Sequence, residues 1–510
     1  MSDTRQSRLV RSERVAGRLR TVEVGVGEPL PALTGMRSLA ALIHMSDLHI
    51  CDAQSPSRVE YFDRYADPDS VIADEIGYVG VYRAHEMLTT QVLASAVDAV
   101  NAVETGPSGA SIDAVVITGD TIDNAQHNEL RWYTTLLDGG SIVPSSGDPA
   151  RWEGVGGPDN ADERYWHPEG GADDLPRRLH GFPTIPGFFA AAQRAITSPG
   201  LRHQWLAIHG NHDALLQGVT APDAEVQALT TGDRRITHEA AGADVKKLLI
   251  DFAPIGPATF PLVPNSPTVQ VTADPERGFL AAGDYAARHL ACGHGHGFTE
   301  ENVSNRNAYW TRNISDDVML VALDTVNKHG GWHGCIDRLQ FAWLRGVLER
   351  ADRYVVVMSH HPLDTLVNGH TVGDPVPALA DEVEALLQEF PKVVLWLAGH
   401  THRHQISYHG NSRSHGFWHV RTSSLIDWPQ QSRVVELLED GDQLAIATYV
   451  FDHNGVRTPD TSDLGANDTL AGLSRLLAAN NWQRQEGEHI LDVLEGQRAD
   501  RNIVLHLAKR

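Results

Sequence analysis

A chain of 510 residues, 41% hydrophobic and 21% charged, holds enough apolar material for one large catalytic domain with insertions or for two to three domains. Its net charge of −24 argues against a general nucleic-acid surface, and no apolar run is long enough to span a bilayer. Cys51, Cys292 and Cys335 are too few and too scattered for a disulfide framework and suit a reducing compartment.

Residues 1–38 carry Arg5, Arg8, Arg11, Arg14, Arg18 and Arg20 with no apolar segment behind them. They lack the anatomy of a secretory signal, so a solvated, partly disordered arm and a cytoplasmic protein are expected. A buried strand over Leu39 to Met45 then ends in Ser46-Asp47-Leu48-His49. Arg83 to Glu104 has helical periodicity. A second strand, Asp113 to Thr118, ends in Gly119-Asp120, which completes a strand–helix–strand unit of α/β type. From 139 to 203 the pattern dissolves, except that Gln204 to Ile208 reads as a strand ending in His209-Gly210-Asn211-His212-Asp213. A further irregular region, 214–313, is proline-rich between Pro254 and Pro267. Both regions are read as insertions around a site.

Regular structure resumes with the strand Val318 to Leu323, the helix Asp337 to Arg350 and the strand Tyr354 to Met358, which ends in Ser359-His360-His361-Pro362. A helix from Pro377 to Phe390 leads into Val393 to Ala398, an unbroken apolar strand that empties into Gly399-His400-Thr401-His402. Trp418 to Val420, Val434 to Leu437 and Leu444 to Val450 read as strands of a second sheet. Residues 453–510 read as a helical extension, with helices over Asp468 to Asn480 and Glu488 to Leu494. The catalytic domain is accordingly placed at 39–452.

Five apolar strands thus deliver polar residues from their C-terminal ends: Asp47 and His49, Asp120, Asn211 and His212, His360, then His400 and His402. Sites in α/β sheets form beyond those ends. Carboxylates, imidazoles and one amide suit hard and borderline cations rather than thiolate-loving ones. Two cations about 3.5–4 Å apart clamp a phosphoryl group and lower the pKa of a water from 15.7 toward ~7. His212, spare in the ligand count, is the candidate proton donor to the leaving oxygen, with Asp213 orienting it.

Asp47-Leu48-His49, Gly119-Asp120, Gly210-Asn211-His212-Asp213, His360-His361-Pro362 and Gly399-His400-Thr401-His402 resemble, in order, the motif set of the calcineurin-like metallophosphoesterases. Gly334 to Leu344 and Ser423 to Pro429 also look like family elements. The resemblance implies a two-sheet α/β sandwich flanked by helices, with the site at the sheet ends. It implies a first metal held by Asp47, His49, Asp120 and His402, and a second held by Asp120, Asn211, His360 and His400. The cofactors implied are two divalent or trivalent ions, with Mn, Fe, Zn and Co all compatible with N/O ligands. The long insertions resemble an actinobacterial-type subgroup whose members often carry a twin-arginine export signal, which this chain lacks.

Several residues have blander readings. Within His360-His361 the first fits the family pattern, and His361 is expected to be structural. Gly293-His294-Gly295-His296 repeats the Gly-His-X-His spelling with no strand before it. It reads as a glycine-rich insert loop, with His294 and His296 as candidate substrate contacts. Cys51 reads as a buried core residue, and Asp123 and Asn124 as loop-ordering. The expected function is hydrolysis of a small phosphate ester, a phosphodiester first. A phosphomonoesterase or nucleotide hydrolase on the same site, and a non-catalytic module that keeps the fold, are the alternatives. A module would be expected to have lost ligands, and none is missing. A nuclease is disfavoured by the charge.

Overall fold

The computed structural model describes residues 3–33, 35–67, 70–76, 79, 81–251, 255–256, 262–412, 415–441, 443–482, 484–485, 488–489 and 491–510. Pro254 and residues 257–261 of the proline-rich stretch lie outside them. Twelve strands form the body. The first six are β1 (Arg37–Met45), β2 (Ala114–Thr118), β3 (Trp205–Ile208), β4 (Trp310–Asn313), β5 (Val318–Leu323) and β6 (Tyr354–Ser359). The others are β7 (Val393–Ala398), β8 (Gln405–Ser412), β9 (His415–Arg421), β10 (Gln431–Asp440), β11 (Gln443–Asp452) and β12 (Ile503–Ala508).

Among the described residues these strands make two six-stranded sheets, in the orders β12-β11-β10-β1-β2-β3 and β4-β5-β6-β7-β9-β8. The centres are parallel: β1, β2 and β3 in one, and β5, β6, β7 and β9 in the other. Antiparallel strands complete the edges. Parallel strands need crossovers, and helices supply them. α1 (Thr89–Asn101) and α2 (His127–Asp138) serve the first sheet. α3 (Arg338–Glu349) and α4 (Ala380–Glu389) serve the second. Asp337 caps α3, its carboxylate accepting from the N–H groups of Leu339 and Gln340.

The second sheet is apolar on both faces, which explains why its strands read as continuous runs rather than alternating ones. Leu320, Ala322, Val356, Met358, Leu395 and Leu397 pack toward the first sheet. Val321, Leu323, Val357, Trp396 and Ala398 pack under α3 and α4, against Leu344, Leu348, Val383 and Leu386. Each fully buried Leu or Val contributes roughly 1.5–3 kcal/mol. The result is an α/β sandwich with helices outside and parallel strand ends on one side.

Both insertions are built onto the body, and the first is tied at its neck. The first is closed where Gly140–Ile142 pairs with Ile196–Ser198. Its Trp152, Trp166, Phe188 and Phe189 share a core with Leu470, Leu473 and Leu477 of α5 (Asn467–Ala478). In the second, Arg234–Ile236 pairs with Thr268–Gln270, and Leu216, Val226 and Ile236 pack on Val59, Tyr61 and Phe62.

Three expectations are corrected. The strands at 418–450 do not make a sheet of their own: β9 joins the second sheet, while β10 and β11 extend the first beside β1. The segment 453–510 is not all helical, because β12 adds an edge strand whose Leu505 and Leu507 alternate into the core. Residues 7–26 are not a solvated arm. Ser7–Arg11 pairs with Val22–Val26, and Leu9 and Val22 are buried against Trp428, Ala478 and Leu491. The apolar side of that hairpin has only short apolar spacing, so its partner was invisible before folding. No described helix is long and apolar enough to cross a membrane.

Candidate metal centre

The five strand-end turns converge, three from the first sheet (β1, β2, β3) and two from the second (β6, β7). Asp47, His49, Asp120, His400 and His402 all have positive φ, between 43° and 67°. That left-handed region is uncommon for residues with a Cβ and gathers at functional sites. Each of these turns bends sharply off its strand, which aims alternate side chains at one point. The turns also touch. Gly399 lies so close to β1 that a Cβ there would collide with Ser46 Oγ and Asp47 Oδ2.

Three imidazoles are tied down at Nδ1. His49 Nδ1 donates to Asp123 Oδ1 (2.8 Å), His402 Nδ1 to Asp427 Oδ2 (2.6 Å) and His360 Nδ1 to the Thr118 carbonyl oxygen (2.9 Å). Their Nε2 atoms converge instead. His49 and His402 bring theirs to 3.2 Å, and His402 Nε2 is 3.3 Å from Asp47 Oδ1. His360 Nε2 lies 3.2 Å from His400 Nδ1 and 3.1 Å from Asp120 Oδ2. His49 Nε2 is 3.6 Å from the same oxygen, so the Asp120 carboxylate stands between the two histidine groups. Anchoring the far nitrogen fixes the tautomer and leaves the near lone pair for a cation.

The anchors are charged in turn. Arg83 holds Asp427 through Nε (2.7 Å) and Nη2 (3.1 Å), and Arg58 pairs with both Asp123 and Glu86. Burial opposes the charge on Asp427, yet Arg83 and His402 hold its pKa well below the usual carboxylate range. Burial likewise disfavours the His402 imidazolium, but Asp47 and Asp427 outweigh it and lift the pKa to about 10. For His360, Asp120 outweighs burial and lifts it to about 9. His400 goes the other way, pushed well below the ordinary value by burial and by His361 and His360. In the metal-free chain the pocket therefore stores protons on His360 and His402.

The donor set fits a pair of cations. Asp47, His49 and His402 form one candidate ligand group, and Asp47, Asp120 and His360 another. Asn211 adds the most telling atom. It is 2% exposed, its Nδ2 donates to the Gly218 carbonyl oxygen (2.9 Å), and its Oδ1 is buried with no hydrogen-bond partner among the described residues. A buried amide oxygen left without a donor is costly unless a cation takes it.

His212 stands beside this group. Its N–H donates to Asp120 Oδ1 (2.8 Å), and its Nδ1 donates to the Asp123 carbonyl oxygen (2.8 Å) with the Asp123 carboxylate 3.6 Å away. Its ring is 21% exposed, the most open among His49, His212, His360 and His402. Asp213 does not orient that ring, which corrects the expectation. Its carboxylate accepts from the N–H groups of Thr121, Ile122 and Gly210 and from the Thr121 hydroxyl, pinning the β2 and β3 turns together.

His361 is drawn into a group with His360 and His400, but both its ring nitrogens are engaged: Nδ1 by the Thr325 hydroxyl (2.9 Å), Nε2 by the Trp332 carbonyl oxygen (3.0 Å). His296 is not at the site. It is buried and stacks on Trp205, at the start of β3, with ring centroids 3.4 Å apart, so it lies at the opposite end of that strand from Asn211. His294 is exposed on the same turn. Their glycine-rich spelling serves a tight turn, not a strand end. Cys51 is buried with Sγ 2.9 Å from Arg58. Asp427, Arg58 and Arg83 escaped the sequence reading. The available signal was a lone aspartate inside the apolar run Leu425-Ile426-Asp427-Trp428.

Residues 180–404 match the family model described as calcineurin-like phosphoesterase. The matched span contains Asn211, His212, His360, His400 and His402, while Asp47, His49 and Asp120 precede it. No curated protein sequence matches the chain. Two solved structures are similar: a dimetal phosphatase from Danio rerio (11% identity, TM-score 0.37, covering 82% of this chain and 100% of that one), and sulfate thiohydrolase SoxB from Thermus thermophilus in complex with glycerol (13% identity, TM-score 0.31, covering 84% and 60%).

Proposed function

We propose that the chain, whose residues 180–404 match the calcineurin-like phosphoesterase model, hydrolyses a small phosphodiester with two cations and with His212 as the acid. Asp47, His49, Asp120 and His402 would hold one cation, and Asp120, Asn211, His360 and His400 the other. When bound, such a pair supplies charge neutralisation at the phosphoryl group and a water acidic enough to attack at neutral pH.

The chain's own residues do the rest. Asp123, Asp427 and the Thr118 carbonyl oxygen hold three imidazoles in the ligating tautomer. The Asp123 carbonyl oxygen holds His212 Nδ1, so the proton offered to the departing ester oxygen leaves from Nε2. The net charge of −24 points toward a small ester rather than a polyanion.

The observation that carries the reading is the unpartnered Asn211 Oδ1 beside four converging imidazoles. Asp120→Ala should lose metal by elemental analysis and lose turnover of bis(4-nitrophenyl) phosphate together. Two tightly held metals remaining in that variant would remove the ligand assignment, and faster turnover of 4-nitrophenyl phosphate than of the diester by the wild type would remove the diester preference.

A further inference from the structure

On the α4 side of the second sheet lies a polar cluster that the hydrolytic chemistry does not use. Across β8 and β9, Gln405 pairs with Arg421, Ser407 with His419 and His409 with Phe417, so these side chains share one face. Phe417 packs with Trp396 under the helices, and His409 Nδ1 lies 3.1 Å from Glu384 of α4, which fixes the face. Arg421 ends β9 directly beside Ala398 of β7, two residues before His400. It therefore stands at the same end of the sheet as the metal-ligand turns.

Arg421 is 3% exposed. One of its nitrogens, Nη2, donates to Asp364 (2.7 Å), whose side chain is 56% exposed, while Nε and Nη1 are buried without partners among the described residues. The same is true of Arg403 Nε, Thr401 Oγ1 and both ring nitrogens of His419. Burial, foremost, and the Arg403 charge hold the Arg421 pKa below its usual value, with Asp364 opposing. Arg403 and Thr401 flank His402 in the chain. Beside the metal centre His333, its ring 6.2 Å from that of His400, likewise has a buried Nδ1 with no partner among the described residues. A guanidinium presents a rigid fork of donors that matches an oxyanion. Here two guanidiniums and a hydroxyl offer unused donors, and the one carboxylate among them faces solvent.

We propose that Arg421 and Arg403, with Thr401, form a subsite for a second anionic group, so that the preferred ester carries an oxyanion on the arm that is not expelled. The word "ester" rests on the phosphoesterase reading, whereas the arginine site rests on its own geometry. The two are separable by experiment. Inorganic sulfate, titrated calorimetrically into the protein, probes the arginines directly. Its affinity should fall about tenfold or more in Arg421→Gln and in Arg403→Gln, and persist in Asp120→Ala. Arg403 is only partly buried, so its variant keeps the test decisive if Arg421→Gln folds poorly. Unchanged sulfate affinity in the arginine variants, or loss of it in Asp120→Ala alone, overturns the subsite.

The substrate class is read from three diesters sharing a 4-nitrophenyl leaving group, with propyl, carboxypropyl or phosphonopropyl as the other arm. Either anionic arm should give a lower KM than propyl in the wild type, by about tenfold, and the advantage should collapse in Arg421→Gln. Equal KM values for all three in the wild type would overturn the substrate class even if sulfate binds. If the wild type hydrolyses none of the esters, the phosphoesterase reading fails, and the sulfate titration still decides the subsite.

Discussion

Nδ1 of His212 donates to a peptide carbonyl oxygen, so any proton its ring gives up leaves from Nε2. Under the proposed role, His212→Ala should keep its metals and its fold while losing turnover by roughly 10²–10⁴-fold. Alkyl leaving groups should suffer more than nitrophenolate, because they need the proton more. An equal loss for both would mean that the ring stabilises phosphoryl charge instead. The anchors should matter through the metal. Asp427→Asn removes the charge that His402 leans on and is expected to weaken metal binding by about 10–100-fold, measured by competition with a chelating dye. Protonation gives a further test. His360 and His402, at about 9 and about 10 in the metal-free chain, must give up protons to a cation. Metal affinity should therefore rise with pH from 7 toward 9, with proton release visible as a buffer-dependent binding enthalpy. A buffer-independent enthalpy would contradict it. Both pKa values lie above the ordinary 6.5. The stabilisation these pairs give the metal-free fold is thus complete below about 6.5 and lost as pH rises through 9 to 10.

At the scale of elements, the strand-end turns work only if they pack backbone to backbone. Gly399 shows this most plainly, since any side chain there would strike Ser46 and Asp47 across the gap between the sheets. Gly399→Ala should separate the β1 and β7 turns and weaken metal binding about tenfold or more. The far-UV circular dichroism should change little, because β7 itself is untouched. Metal retention at wild-type strength would show that the turns have room to yield. The last strand is a second test. β12 covers the edge of β11 and buries Leu505 and Leu507. A chain ending before Ile503 should lose several kcal/mol and expose a pairing edge. Reduced melting temperature and aggregation would be seen together, and a soluble truncated chain of unchanged melting temperature would contradict the assignment.

For the whole molecule, the site is a joint between two sheets. Asp47, His49, Asp120 and Asn211 come from one side, and His360, His400 and His402 from the other, so under the proposed ligand assignment a bound cation would tie the halves of the sandwich together. At 1,000 times the dissociation constant each such site adds about 4 kcal/mol of apparent stability. Chelation should lower the melting temperature, with the melting curve recovering when Mn or Zn is restored. A melting temperature indifferent to chelator would mean that the sandwich closes without help from the ions.

The strand-end junctions were legible in the sequence because parallel strands buried on both faces must be apolar runs, and whatever follows such a run is presented at a sheet end. Asp47, Asp120, Asn211, His360 and His400 stand out for that reason, as do the amphipathic helices between them. Partnership was not legible. Whether β9 lies beside β7 or begins a new sheet depends on pairings across distances in sequence that no local pattern records. Nothing in Leu425 to Trp428 announces that Asp427 will meet His402, and Gly-His-Gly-His at 293–296 repeats the Gly-His-X-His pattern of the β7 turn. Only the absence of a strand before it, and then Trp205 stacked on His296, separates the two. Residue type and periodicity determined which groups could do chemistry. Tertiary structure decided which of them share a pocket, because that requires two sheets to bring separate strand ends within a few ångströms.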